Sequence, residues 1–110
     1  MSAEDKCALV RKYLEARKCN NAEACLALVD NKVEYLGGRG EVVHGKEEFE
    51  AYLKAHAAKG EWEEPLWDEA LGVVRVSGSA GWKLITVSIE AKYWLSDDNL
   101  IVKICTGRKA

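Results

Sequence analysis

The sequence predicts an α+β domain, with three helices in the N-terminal half packed on the concave face of a curved, mostly antiparallel sheet of about six strands. Three observations carry that expectation. Apolar residues recur at helical spacing along 2–18, 22–29 and 46–56, so each of these segments has one apolar face. Beyond residue 60 the spacing changes to alternation, the signature of strands with one buried face. The order, helices ahead of a run of strands, segregates the helices to one side of the sheet.

Bulk properties narrow the class further. A chain of 110 residues makes one domain, long enough to bury a core without disulfides or metals. With 16 basic and 18 acidic residues interspersed, and a formal net charge of -2, it offers no electrostatic footprint for nucleic acid. No apolar run is long enough to span a membrane and the N-terminus lacks the apolar core of a signal peptide, so a cytoplasmic protein with no membrane partner is expected. Cysteines 7, 19, 25 and 105 have neither zinc-ribbon nor redox-pair spacing and are read as reduced thiols.

The elements follow in order. Ser2 caps the first helix, with Asp5 three residues on, and Cys7, Val10, Leu14 and the stem of Arg17 form its inner stripe beside Tyr13. Asn20 and Asn21 turn the chain near Cys19 and cap a second helix over 22–29, with Ala22, Cys25, Leu26 and Val29 inward. Asp30, Asn31 and Lys32 are predicted to turn into a strand ending at Leu36. Gly37, Gly38, Arg39 and Gly40 then reverse the chain into a second strand over 41–43. Gly45 is placed at the N-cap of the third helix, with Glu47 and Glu48 against the positive end of its dipole. Its inner stripe is Phe49, Tyr52, Leu53 and His56, and Lys59 and Gly60 end the helical pattern.

Strands follow. Pro65 makes 61–70 an edge strand, because proline has no N–H for the ladder. Leu71 and Gly72 turn the chain, 73–77 returns, and Gly78, Ser79, Ala80 and Gly81 are predicted to turn it again. The longest strand, 82–95, puts Ile85, Val87, Ile89, Ala91 and Tyr93 on one face and Thr86, Ser88, Glu90, Lys92 and Trp94 on the other. Residues 96–99 make the last hairpin turn. The final strand over 100–106 is apolar on both faces, which predicts a central position.

The wording VRKYLEARKCNNAEACLALVDNKVEYL, then VVHGKEEFEAYL, then SDDNLIVKI, resembles the SnoaL-like branch of the nuclear-transport-factor-like superfamily, the cone-shaped fold that includes ketosteroid isomerase. The resemblance covers nearly the whole chain, and Gly45 opening the third helix is its most specific local feature. It implies a small, largely apolar molecule held between helices and sheet without a cofactor. Ligand-binding candidates are then Val33, Phe49, Leu53, Val87, Ile89, Ala91 and Tyr93, with Ile85 farther along the same face. The same composition also suits a cone filled by its own side chains, so a non-catalytic dimerisation or protein-interaction module is the alternative.

For chemistry, the resemblance assigns Tyr13 the role of donor to an enolate oxygen. The general-base aspartate of ketosteroid isomerase is replaced here by Tyr35. Its second oxyanion donor falls on Ala91, or on Glu90 if the register slips by one, and strand alternation selects Ala91. The arginine flanked by two acids of related epoxide hydrolases has no counterpart at inward positions. Ketosteroid isomerisation itself is therefore not expected. Tyr13, Tyr35 and His56 remain as a set for proton transfer in an isomerase, cyclase or dehydratase, although a histidine at a helix C-terminus also suits the dipole. His44 and His56, without suitably spaced acids, make no metal site. On the opposite face, Trp94 and Ile101 among Thr86, Ser88, Glu90, Lys92 and Lys103 are expected to form a homodimer interface.

Overall fold

Local hydrogen bonds start each of the first two helices where the sequence places them. In the computed structural model, which describes residues 2–58, 60–82 and 84–109 but not the Trp82 side chain, Ser2 Oγ accepts from Asp5 N–H at 3.1 Å and opens α1, Ala3–Lys18. Asn20 takes a positive φ of 55°, and Asn21 Oδ1 accepts from Ala24 N–H at 3.0 Å to open α2, Ala22–Leu26. That helix is shorter than its apolar periodicity predicts. Val29 is inward and buried, but as the first residue of β1, Val29–Leu36. Asp30, Asn31 and Lys32 are an irregularity within this strand rather than a turn before it. Asp30 Oδ1 accepts from Lys32 N–H at 2.9 Å there.

The glycine-rich reversal leads to β2, Val42–His44, and directly into α3, Gly45–Ala55. The N-cap is His44, not Gly45. Gly45 is the first helical residue and has φ +84°, a left-handed conformation that glycine adopts without the Cβ penalty. Glu48 reaches back to accept from His44 N–H at 3.2 Å. The helix ends at Ala55, and Lys59, predicted to end it, lies outside the described residues.

The run 61–70 is split into β3, Glu61–Trp62, and β4, Leu66–Asp68, because buried Pro65 interrupts the ladder. Both pair with β5, Val73–Trp82. The residues predicted to turn at 78–81 are strand, paired with β6, Ile85–Leu95, up to Trp82 opposite Ile85. Gly78 is there for close approach rather than for reversal. A Cβ at this position would collide with the Glu61 carbonyl oxygen and the Trp62 ring.

The final strand, β7, Ile101–Arg108, is central as predicted, hydrogen-bonded to β6 antiparallel and to β1 in parallel. The sheet runs β2-β1-β7-β6-β5-β3, with β4 also on β5. Among the described residues it is a curved mixed sheet of seven strands carrying three helices. Val10, Tyr13, Phe49 and Leu53 from the helices meet Val33, Val74, Val76, Ala91, Tyr93 and Ile104 from the sheet, and all are buried. Arg75 ties strands together on the other face, with Asp68 at 3.0 Å and Glu90 at 2.8 Å. All four cysteines are free thiols. Among the described residues no helix is long and apolar enough to cross a membrane.

Ile101 departs from the sequence expectation. Simple alternation puts it on the convex face, yet it is fully buried in the core. Trp94 pairs with Lys103 while Leu95 pairs with Ile101, so Val102 is an extra residue that flips the parity of the strand before it.

The two strand glycines of β5 provide a controlled test. Gly78→Ala should lower stability by about 1–3 kcal/mol in urea denaturation, as overpacking does. Gly81→Ala, where a Cβ meets nothing within 4 Å, should stay within about 0.5 kcal/mol. Equal effects at both sites would show that Gly78 is not held by the β3 crossing.

Candidate functional site

The concave side is not packed to its end. Between α1, the end of α3, the 37–41 hairpin and the strands lies a half-open cavity of about 400 Å³. Tyr13, Leu14 and Arg17 come from α1, and their i, i+1, i+4 spacing brings Tyr13 and Arg17 onto one face a turn apart. Tyr52 and Ala55 come from α3, followed by His56, Ala57 and Ala58. The sheet supplies Tyr35, Trp62, Ala80, Ile89, Tyr93, Ile104, Thr106 and Gly107, and the hairpin supplies Gly38, Arg39 and Glu41. Ala58 N–H donates to Asn20 Oδ1 at 3.3 Å, tying the segment after α3 to the turn between the first two helices.

Two kinds of hydroxyl line this space. Tyr52 Oη donates to Tyr35 Oη at 3.2 Å, and Tyr35 Oη is paired with Thr106 Oγ1 at 3.3 Å, so these groups are mutually engaged. Tyr13 and Tyr93 differ. Their rings pack edge to face with centroids 5.7 Å apart and only 3% and 2% of each residue is exposed. Neither hydroxyl has a hydrogen-bond partner among the described residues, and both residues line the cavity. Burial pushes the Tyr13 phenol well above its ordinary range and raises Tyr93 as well. Tyr52 is raised by burial first and by its bond to Tyr35 second.

His56 lies at the exposed rim, stacked on Tyr52 with ring centroids 4.3 Å apart. Its Nδ1 is 3.1 Å from the Tyr52 carbonyl oxygen. A carbonyl only accepts, so the neutral ring carries its proton on Nδ1 and leaves the Nε2 lone pair available. Glu41 is the carboxylate of the cavity, and its Oε1 accepts from Arg39 N–H at 2.9 Å. Among the described residues no group of three His, Cys, Asp or Glu side chains converges as a metal site requires.

Of the residues singled out from sequence, Tyr13, Tyr35, His56, Ile89 and Tyr93 line this one cavity. Val33, Phe49, Leu53 and Ala91 are buried in the core behind it, and Val87 is half-buried on the strand beyond it. Ile85 is 61% exposed near the tip of the β5–β6 hairpin. Sequence reasoning missed Tyr52, although it shares the inward stripe with His56, and Thr106, which sits two residues along β7 from buried Ile104. Arg17 was read as a packed stem, and Glu41 as an ordinary strand residue.

Sequence comparison finds no matching family model and no matching curated protein. Structural comparison finds the same architecture at low identity. A provisionally named polyketide cyclase from Xanthomonas campestris aligns at TM-score 0.77 and 14% identity, over 97% of this chain and 92% of that one. An NTF2-like protein of unknown function from Cytophaga hutchinsonii aligns at 0.76 and 14%, over 92% and 87%. The chain has the nuclear-transport-factor-like fold. A provisionally named ketosteroid isomerase from Kribbella flavida shares that fold at TM-score 0.79 and 17% identity, over 98% of this chain and 80% of that one. The architecture anticipated from the segments around Tyr13, Gly45 and the last hairpin is thus shown, and identities this low carry nothing beyond it.

The buried phenols make stability pH-dependent with a definite sign. The native state holds protons on Tyr13, Tyr52 and Tyr93 above pH ~10, where unfolded tyrosines release them. Stability should therefore be unaffected by these groups below pH ~10 and fall above it, by up to about 1.4 kcal/mol per pH unit for each phenol. Urea midpoints measured from pH 8 to 11 check this, and the fall should be shallower in Tyr13→Phe. An identical slope in that variant would mean that Tyr13 ionises normally in the folded protein.

Proposed function

We propose that this chain binds a small, largely apolar molecule in the nuclear-transport-factor-like cavity and carries out cofactor-independent proton transfer on it, of the isomerase, cyclase or dehydratase kind. The observation that carries this reading is the pair of buried tyrosines, Tyr13 and Tyr93, which line the cavity and whose hydroxyls have no hydrogen-bond partner among the described residues. A phenol O–H that no described protein group engages can donate to an acceptor oxygen on a ligand in place of water. Tyr13 polarises that oxygen and stabilises the negative charge that builds on it in an enolate. His56 takes up and returns the proton through Nε2. Tyr35, held by Tyr52 and Thr106, positions the ligand from the sheet side. The names of the cyclase- and isomerase-like neighbours accord with such chemistry, and the unfilled cavity favours it over a cone closed by its own side chains.

A thermal-shift screen of lipophilic ketones, phenols and acids on the wild type and Tyr13→Phe tests the binding step. A true ligand should raise the melting temperature of the wild type by several degrees and that of the variant much less, since native-state binding stabilises by mass action. Turnover of that ligand should fall about 10²–10⁴-fold in His56→Ala. No shift of the wild type across the library would remove the small-molecule reading.

A second reading concerns assembly and rests on the convex face. Strand pairing lines up Val42, Leu36, Cys105, Lys92, Arg75 and Leu66 in one row across it. Val42 is 57% and Leu66 69% exposed, and half-buried Trp94 lies on the same face under Lys103 Nζ. We propose that two copies pair through this row about a two-fold axis, with Trp94 but without Ile101. Sedimentation at roughly tens of micromolar should give a dimer. The substitution Leu66→Asp should shift it toward monomer, and a wild-type monomer at that concentration would end the idea.

A further inference from the structure

We infer that the molecule held in this cavity is an amphipathic acid, with its carboxylate set against Arg17, Tyr13 and Tyr93 and its apolar body against Leu14, Trp62, Ile89 and Ile104. The inference rests on the binding part of the reading above, not on its proton-transfer step, and adds the chemical class of the ligand. Arg17 is half-buried on the cavity wall one helical turn from Tyr13. Among the described residues no carboxylate lies within 4.0 Å of it. Among the other arginines Arg11 is bound by Glu64 at 2.8 Å and Arg75 by both Asp68 and Glu90, whereas Arg39 and Arg108, which have no such partner among the described residues, are exposed to water; Arg17 combines partial burial with the lack of a described carboxylate.

A guanidinium drawn partly out of water without a counter-ion is a standing electrostatic asymmetry. Its positive field acts on the buried groups around it, opposing the effect of burial on Tyr13, Cys25, Tyr52 and Tyr93. The remaining charges of the lining are Arg39 and Glu41 on the hairpin, where Glu41 is already engaged by the Arg39 N–H, and His56 at the rim. Among the described lining residues two arginines thus face one glutamate, so this lining is locally positive in a chain of net charge -2. A neutral ketone would satisfy the phenols and leave Arg17 uncompensated. A carboxylate satisfies both, because its two oxygens offer about four lone-pair sites, enough for a guanidinium fork and two phenol donors. The apolar side chains on the same wall then require a hydrophobic body.

The test is calorimetric titration of the full chain with 2-naphthoate, 4-biphenylcarboxylate and decanoate, each against its primary amide, which keeps the shape and removes the charge. At least one acid should bind at least tenfold more tightly than its amide. In Arg17→Gln that acid should weaken at least tenfold while its amide changes less than threefold, and Arg17→Lys should keep part of the preference; circular dichroism establishes that the variants are folded. Amides binding as well as acids to the wild type would overturn the inference and leave the cavity reading in place, and this ratio does not depend on any variant folding. Equal weakening of acid and amide in Arg17→Gln would also overturn it. Binding by no compound of either set would remove the inference and the cavity reading together.

Discussion

Phe49 is the side chain on which the corner of the molecule closes. It is fully buried and joins α3 to β1 within a few residues of the β1–β2 reversal. Its ring lies 6.0 Å from that of Tyr35 and stacks 6.5 Å from Tyr52, which in turn stacks on His56 at 4.3 Å. One continuous aromatic series therefore runs from dry core to cavity rim, and its polarity rises along the way. Phenylalanine fits where no partner is available, tyrosines where hydroxyls reach one another, and histidine where the chain meets solvent. Tyr35 and Tyr52 are fixed by packing on one side and by hydrogen bonds on the other, the condition for side chains that hold a ligand in one orientation.

Most of this architecture was legible because it follows local rules. Ser2, Asn20 and Asn21 cap and turn where short polar side chains satisfy backbone donors, and β7 is central because both of its faces are apolar. The failures have a common physical cause. A period-2 extrapolation assumes an unbroken ladder, and single extra residues, which have no compositional signature, break it. Val102 reverses the parity at Ile101, and the irregularity at 30–32 lets Val29 stay inward while entering a strand instead of finishing a helix. Gly78 and Gly81 read as a turn because glycine is ambiguous between reversal and close approach. The deciding neighbour, β3, is brought against Gly78 only by the tertiary fold.

Within the site, sequence legibility followed the same division. Tyr13, Tyr35, Ile89 and Tyr93 come together because helix and strand periodicity assign faces on α1, β1 and β6, whereas His56, expected on the inner stripe of α3, lies just past its end as an exposed cap residue at the rim. Periodicity does not say where along a face the packing stops. Phe49, Leu53 and Ala91 share faces with lining residues and are sealed behind them. Arg17 was hidden by a sound rule, since a long cationic side chain on an apolar stripe usually snorkels to water. Thr106 and Glu41 were hidden by topology. One reaches the cavity through the parallel β1–β7 pairing, and the other through the path of a hairpin that composition alone does not orient.

The cavity exists because the packing is asymmetric along the cone. At one end Phe49, Leu53, Val10, Val33 and Val76 fill the space between helices and sheet. At the other, α3 stops at Ala55 and is followed by Ala57 and Ala58, while Gly38, Ala80 and Gly107 face them from the hairpin and strands. Small residues on both sides of a mouth leave volume that nothing in the described chain occupies. Much of the open end is set by residues other than those of the filled end: a Cβ at Gly107 would meet no described atom within 4 Å, whereas one at Gly38 would press on the Gly107 backbone. This separation accords with neighbours of 14–17% identity keeping one architecture: the filled end, set by apolar pattern and volume, specifies the fold, and the open end is free to differ in which polar groups it presents. In this chain the open end presents the half-buried guanidinium of Arg17 beside Tyr13 and Tyr93, whose rings belong to the packed core, so the filled and open ends meet at these two phenols.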